Sequence, residues 1–426
     1  MVDNTGLPRF ARNDDMRCAF VSTNSITQGE QVGVLWGWML AQGIKIHFAH
    51  RTFSWSNEAK GKAAVHCVII GFGQQDVADK TIYEYADIKG EPHAVKVANI
   101  NPYLVDAIDL VLPDRSLPIS EVLEIQYGSM SNDGGNLILS SEERKLFIET
   151  ETSVGNFIRR YIGADNLINN QFRYCLWLKS ASPQAIKASK QVMDRIAKVV
   201  KHRLASTNVA ANLAANTPTL FFSERQPQTD YLAIPRTSSE RRRIIPIDFL
   251  DKSIIANTDI FVIPNATMFT FGVMTSTMHM AWVRAVCGRL KSDYRYSAGL
   301  VYNNFPWPVI ASQSETSAKQ STGLNTGLPR PYATRNDRQI AAIEACAQVV
   351  LDARTAHPNA SLADLYDPLT MPANLLKAHL ALDKAVDAAY GYKGATTDSA
   401  RVAFLFERYQ QLTSLLPIDK KPKKRR

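Results

Sequence analysis

Side chains able to do chemistry are thinly spread along this chain. His47 and His50 stand three residues apart, one inside a predicted strand and one at its end, with no third metal ligand nearby. That spacing reads as two hydrogen-bonded histidines rather than a zinc site. The five cysteines, Cys18, Cys67, Cys175, Cys287 and Cys346, are odd in number, scattered, and include no C-x-x-C. Neither a disulfide framework nor a structural zinc site is expected, and a reducing cytoplasm suits them. No G-x-G-x-x-G, P-loop or G-x-S-x-G occurs. Gly71-Phe72-Gly73 ends a strand without opening a helix. Spacing alone assigns no reaction.

The elements that would position a site are clearer. With 426 residues, 45% hydrophobic and 21% charged, the chain has the composition of a folded protein of two or three domains. Its longest apolar runs, 32–41 and 63–73, fall short of the roughly 20 residues a membrane span needs. No charged-then-apolar leader opens the chain, so secretion is not expected. The net charge is +9, but Lys420, Lys421, Lys423, Lys424, Arg425 and Arg426 supply six of it, leaving +3 over all other residues. Residues 416–426 are expected to be a basic tail, either a phosphate-attracting arm or a solvated end.

Asn4-Thr5-Gly6-Leu7-Pro8-Arg9 recurs as Asn325-Thr326-Gly327-Leu328-Pro329-Arg330, and both copies run on into Arg-Asn-Asp. Two copies so far apart cannot stack as a solenoid. Their Gly, Pro and Asn content predicts loop, and the wording resembles translated repeat elements of bacterial genes. Residues 1–17 and 311–338 are therefore expected to be inserted, unstructured segments.

Between them a helix is predicted over 28–41, capped by Ser25 or Thr27, then a strand over 44–49. The β-branched run 63–72 predicts a strand buried on both faces of a sheet. Ser140-Ser141-Glu142-Glu143 is a capping box. Ser182-Pro183 opens one long helix to about 204, basic on one face and with Ile186, Val192, Ile196 and Val200 on the other. Strands follow near 231–234 and 260–263, a helix over 271–289, and helices over 338–356, 373–390 and 401–415.

Longer strings are more specific. Phe53-Ser54-Trp55-Ser56-Asn57-Glu58, continuing to Phe72, closely resembles a segment of the adenine-specific DNA methyltransferases of the MmeI-like (type IIL) restriction–modification family. So do residues 19–31, 101–107, 238–242, 278–282, 289–297, 303–308 and 360–368, in the family's order across roughly 18–415. The resemblance implies an α/β plus α+β protein. Its parts would be a truncated Rossmann-like methyltransferase sheet (18–105), a mixed α+β target-recognition domain (106–310) and a small all-helical C-terminal domain (339–415).

In such enzymes S-adenosylmethionine lies over a Gly-rich turn, and an Asn-Pro-Pro-Tyr/Phe motif holds the flipped adenine. Flipping is required because N6 is out of reach inside a stacked duplex. This chain starts after both motifs. Asn101-Pro102-Tyr103 lacks a proline, and Asn303-Asn304-Phe305-Pro306 is likewise a decoy. The resemblance places Phe53 and Trp55 where an aromatic stacks on the flipped base, worth about 1–3 kcal/mol. It also puts Arg236, Ser238, Ser239, Glu240, Arg241 and Arg243 in the recognition domain. There Arg suits guanine O6 and N7, and Glu suits cytosine N4. Lys291, Asp293, Tyr294 and Arg295 form a second DNA-contact group, suited to the backbone.

The expectation is thus the C-terminal part of a site-specific adenine-N6 methyltransferase. It would bind double-stranded DNA, would not hold S-adenosylmethionine by itself, and would be inactive unless another chain supplies an N-terminal half. The alternatives are a stand-alone specificity module for a separate catalytic subunit, and a non-functional gene remnant.

Overall fold

The computed structural model describes residues 17–55, 65–308 and 335–414. Both copies of the repeated hexapeptide and the basic tail lie outside them. Two expected boundaries move. Arg17 is already paired in a strand, opposite Gly73, and a helix begins at Arg335, inside the expected linker.

The described residues form two compact units, neither continuous in sequence. Among them the first draws on residues 17–55, 65–121, 281–308 and 393–414, the second on 122–280 and 335–392.

The first unit is built on a five-stranded sheet of order β1-β3-β2-β4-β5. Its strands are β1 (Arg17–Thr23), β2 (Lys45–Trp55), β3 (Val65–Gly73), β4 (Lys80–Tyr85) and β5 (Pro92–Val97), with helix α1 (Glu30–Ala41) between β1 and β2. β3 runs antiparallel to both β1 and β2, filling the slot that the helical crossover leaves between them. This central place explains its apolar run: Cys67, Val68, Ile70 and Phe72 are all buried.

α1 lays Val32, Trp36 and Met39 on the sheet. The Trp36 ring meets Phe72 edge-on at 6.3 Å, and Phe72 meets Phe20 at 4.6 Å. Neither Ser25 nor Thr27 caps the helix. Gly29 does so at φ +64°, and a Cβ there would meet the Gly288 Cα at 2.9 Å. Only glycine tolerates both the backbone angle and the approach. Elsewhere in the unit the helix Asp398–Ser414 puts Phe406 against Trp282 and Tyr103, at 5.2 and 5.3 Å.

The second unit holds two four-stranded sheets. One has the order Asp248–Leu250, Tyr231–Pro235, Ile260–Pro264 and β6 (Gln126–Tyr127), all antiparallel. Every residue of its inner strand Tyr231–Pro235 is buried. The other runs through Ile255–Ala256, Ile158–Ile162, Arg173–Leu176 and Ile138–Leu139. The predicted capping box forms: the Glu143 amide donates to Ser140 Oγ at 3.1 Å, and the Ser140 amide to Glu143 Oε2 at 2.8 Å.

Two predicted helices are each split. The first breaks at Ser189 into Pro183–Ala188 and Lys190–Leu204. Ser189 is buried and donates to the Glu151 carboxylate, while its Oγ caps the second piece by accepting from the Val192 amide at 3.1 Å. A serine that bonds locally offers the backbone an alternative to the helix. The second breaks at Thr275-Ser276 into Met268–Met274 and Thr277–Val286, where both hydroxyls donate to carbonyls of the preceding turns, at 2.8 and 2.6 Å. Arg335–Thr355 and Ala373–Tyr390 belong to this unit, whereas Asp398–Ser414 belongs to the first.

Candidate nucleic-acid interface

β1 and β2 run parallel on either side of β3, and open α/β sheets bind ligands beyond the carboxyl ends of their parallel strands. Phe53 and Trp55 stand at that end of β2. A spacing of three along a strand puts side chains on opposite faces, yet His50 and Phe53 share one face, with rings 6.3 Å apart. The β-bulge between them makes this possible by adding a residue to the pleat.

β4 pairs in parallel with β2 and brings Tyr83 opposite His50. The His50 ring stacks on Tyr83 at 4.2 Å, and its Nδ1 is 2.8 Å from the Tyr85 hydroxyl. Tyr85 stacks on Phe53 at 5.3 Å, and Phe53 meets Trp55 at 6.1 Å. The outcome is a row of five rings ending in Trp55, which is 44% exposed. Burial lowers the His50 pKa, which favours a neutral ring. His47 is also hydrogen-bonded, to the Gln75 carbonyl at 2.7 Å. Sequence reasoning picked out Phe53 and Trp55, read His50 as a hydrogen-bonded ring, and missed Tyr83 and Tyr85, although the alternation Tyr83-Glu84-Tyr85 was a signal for them.

Beside this row lies a cavity of about 290 Å³ lined by Arg51, Glu84, Tyr85, Arg284 and Asp398, among others. Four of its charges pair off, Arg51 with Glu84 at 2.9 Å and Arg284 with Asp398 at 2.8 Å, and Arg289 also lines it. Arg51 also donates to the Leu104 carbonyl and to Ser399 Oγ, which stiffens the wall.

The described residues do not fit S-adenosylmethionine. Its cradle needs glycine-opened backbone with free space after a parallel strand, but β1 leads through the 3-10 turn Asn24–Thr27 to Gly29, whose open side is already closed by the Gly288 backbone, 2.9 Å from a Cβ position. Gly71 lies on the antiparallel β3, and a Cβ there would meet the Phe48 ring at 2.0 Å, so Phe48 already fills that space.

Both motif look-alikes are hydrogen-bonded inside the fold. Asn101 is fully buried, and its Oδ1 accepts from the amides of Tyr103 and Val105 at 3.0 and 3.1 Å, closing a turn in which Leu104 takes φ +56°. Asn304 is also fully buried. Its Oδ1 accepts from Arg115 Nε at 2.9 Å, and its Nδ2 reaches the carbonyls of Pro113 and Gly299, both at 2.8 Å.

In the second unit the segment from Arg236 to Arg243 follows the strand Tyr231–Pro235. Arg236 donates to the Thr258 carbonyl at 2.9 Å, and Ser238 is buried. Ser239 accepts from the Arg241 amide at 3.4 Å, at the start of a turn closed by Arg242 N–H to Ser239 O at 3.2 Å. Glu240 is partly exposed. Arg241 is exposed and only 4.0 Å from Asp367, a contact worth little in water. Arg243 is 3.5 Å from Asp383, a buried carboxylate that also takes the Thr277 amide and hydroxyl, both at 2.6 Å. Arg241 is thus the more exposed of the two arginines, at 64% of its side chain against 41% for Arg243, and Ser238 is buried.

The other predicted group forms a hairpin in the first unit. Gly288–Leu290 pairs with Asp293–Arg295 through a two-residue turn in which Lys291 has φ +58°. Lys291 and Arg295 are exposed, and Asp293 is partly so. Tyr294 is buried, with the Arg289 guanidinium 3.9 Å above its ring.

The long basic helix is less basic outside than its sequence suggests. Arg203 is fully buried and donates to the carbonyls of Ser131, Asn132, Ala214, Thr217 and Leu220, at 2.8–3.1 Å. Arg195 pairs with Glu143 at 2.8 Å.

A methyltransferase-type sheet, a separate mixed recognition unit and helices after it define a class, and comparison places the chain within it. Three family descriptions match in chain order. They are the DNA-methyltransferase domain of MmeI over residues 7–84, its target recognition domain over 106–309 and its C-terminal domain over 334–417. The chain belongs to the MmeI-like family of DNA methyltransferases with a target recognition domain. DNA methyltransferase A of Bacillus subtilis (strain 168) is 36% identical over 405 residues, which are 95% of this chain and 42% of that protein. The type IIL restriction-modification enzyme MmeI, solved in complex with DNA, superposes with a TM-score of 0.81 at 51% identity, over 94% of this chain and 50% of that one. This chain spans about half the length of these relatives. The resemblance read from the sequence, and the fold class it implied, both hold.

Proposed function

We propose that this chain is the DNA-recognition and C-terminal part of a site-specific adenine-N6 DNA methyltransferase of the restriction–modification type. The observation that carries the reading is the match of residues 106–309 to the target recognition domain of an enzyme solved on DNA. In this reading Arg241, Glu240 and Arg236 meet DNA in the recognition unit. Lys291 and Arg295 meet backbone, and the ring row ending at Trp55 receives a flipped adenine. Its setting is the cytoplasm; no helix among the described residues is long and apolar enough to cross a membrane.

By itself the chain binds duplex DNA and transfers no methyl group. Two features support this: the described residues do not fit S-adenosylmethionine, and Asn101 and Asn304 are engaged inside the protein. An N-terminal methyltransferase half would supply both functions. Among the described residues β1 pairs only with β3, and its outward pattern leaves Val21 59% exposed. α1 carries a second apolar face with Val34 and Trp38 at 81% and 66% exposure. An unpaired edge strand beside a helix that is apolar all round favours a further strand and helix there.

The test is transfer of labelled methyl from S-adenosylmethionine to duplex DNA. The purified chain should bind DNA but transfer nothing, and adding the N-terminal half of a family enzyme should restore transfer. Transfer by the chain alone would refute the proposal. A specificity module serving a separate catalytic subunit is the second reading. It is favoured by the second unit's own closed cores, such as that around Tyr231, Ala233 and Val262.

A further inference from the structure

Tyr127 lies on β6, the edge strand of the first sheet of the recognition unit, and is 38% exposed. Its ring rests on Phe261 at 4.7 Å. Two guanidiniums stand against it: Arg225 at 5.7 Å and Arg236 at 4.9 Å from the ring centroid, with Arg236 also 5.5 Å from Phe261. Arg236 is tethered through Nη1 to the Thr258 carbonyl at 2.9 Å, while its Nε is buried without a hydrogen-bond partner. Arg225 is exposed.

No carboxylate of the described residues comes within ion-pair distance of either. The acids close by in sequence are engaged elsewhere: Glu224 pairs with Lys179 at 2.6 Å, and Asp259 accepts from Asn257 Nδ2 at 3.0 Å. One cation over an exposed ring gains about 0.5–1 kcal/mol. A second cation on the same ring adds like-charge repulsion, which no ion pair among the described residues offsets. An anion would offset it. A guanidinium steadied on an aromatic face keeps its planar donor fork aimed, which suits a phosphate.

We propose that Arg225 and Arg236, steadied by Tyr127, form a contact for a phosphate of the duplex DNA backbone, one that fixes position and carries no sequence information. The inference rests on the reading that this chain binds duplex DNA. It adds Tyr127 and Arg225, which lie about a hundred residues apart in sequence and are joined only by the fold.

The test uses the whole 426-residue chain and short labelled duplexes of two unrelated sequences, with affinity measured by anisotropy between roughly 50 and 200 mM salt. Arg225→Ala should make the slope of log affinity against log salt shallower by about one, equally for both sequences, and Arg225→Lys should keep the slope. Tyr127→Leu should weaken binding of both duplexes, whereas Tyr127→Phe, which keeps the ring, should not. Because Arg225 is exposed, its loss does not threaten the fold. An unchanged slope for Arg225→Ala, in a chain whose wild type binds with steep salt dependence, would overturn this inference alone. A wild type without salt-dependent DNA binding would overturn the functional reading with it.

Discussion

The Tyr85 ring covers one face of Phe53, 5.3 Å away with 22° between the planes. A ring with one face already stacked has only the other to offer, and His50, bonded to the Tyr85 hydroxyl, holds that arrangement. Trp55 at the end of the row is the more open surface. Trp55→Ala should weaken binding of a duplex carrying an unpaired adenine by about 1–3 kcal/mol and leave a fully paired duplex unaffected. Competition anisotropy reads the difference. Equal losses on both duplexes would assign Trp55 a packing role.

Arg203 offers a stability prediction. Its guanidinium donates to five carbonyls from two chain segments, 131–132 and 214–220, inside the second unit. Arg203→Ala should cost about 3–5 kcal/mol, the range for removing one partner of a buried charged group. Arg203→Lys should recover little, because one ammonium cannot reproduce the planar fork. Urea midpoints of the second unit's transition measure both, and a loss below about 1 kcal/mol would show that water replaces the guanidinium.

Lys291 sits at φ +58°, where a side chain costs about 1–2 kcal/mol relative to glycine. Lys291→Gly should therefore stabilise the first unit by about 1 kcal/mol or less, glycine's extra unfolded-state entropy taking back part of the gain. If Lys291 serves phosphate contact, the same variant binds DNA less tightly, with a salt slope shallower by about one. Opposite signs for stability and affinity would mark a residue kept for binding. Unchanged affinity would mark a turn residue only.

Burial lowers the pKa of His279 and of His379 to about 3. Both rings are neutral in the native state, whereas in the unfolded chain they titrate near 6.5. As pH falls below 6.5 the unfolded state gains protons that the native state cannot accept. Stability is therefore full above about pH 6.5 and is lost progressively on the way to pH 3, by up to ~1.4 kcal/mol per pH unit for each histidine. Thermal melting between pH 7 and pH 5 lies above the range in which ordinary carboxylates titrate, so histidines dominate the change, with a smaller share from His50. His379→Gln should flatten the profile, and a wild-type melting temperature constant over that interval would contradict the buried, neutral assignment.

Much of the fold could be read from local pattern. The strand 65–73, the capping box at Ser140 and the helix Ala373–Tyr390 follow from β-branching, a hydroxyl–carboxylate spacing and a 3.6-residue period, all carried by adjacent residues. Pattern failed where a distant group decided the outcome. The break at Ser189 depends on Glu151, and the helix start at Gly29 on the backbone of Gly288. The candidate site divides in the same way. Phe53 and Trp55 are neighbours in a string that resembles a family, so they could be named. Tyr85, Tyr127 and Arg225 acquire meaning only through pairings across the sheets. Arg203 looked like part of a basic surface because composition cannot distinguish a solvated guanidinium from one enclosed by carbonyls.

The first unit draws its sheet from early residues and its packing helix, Asp398–Ser414, from near the end of the chain. Some three hundred residues separate Val97 from Asp398, so at about 5–20 residues per second a ribosome spends roughly 15–60 s between finishing the sheet and delivering the helix. During that interval the partners of Phe406, Tyr103 and Trp282, have no cover from it. The second unit, whose last helix ends at Tyr390, is fully synthesised before the first can close. The second unit can thus mature first, while Tyr103 and then Trp282 wait for the helix Asp398–Ser414 to cover them.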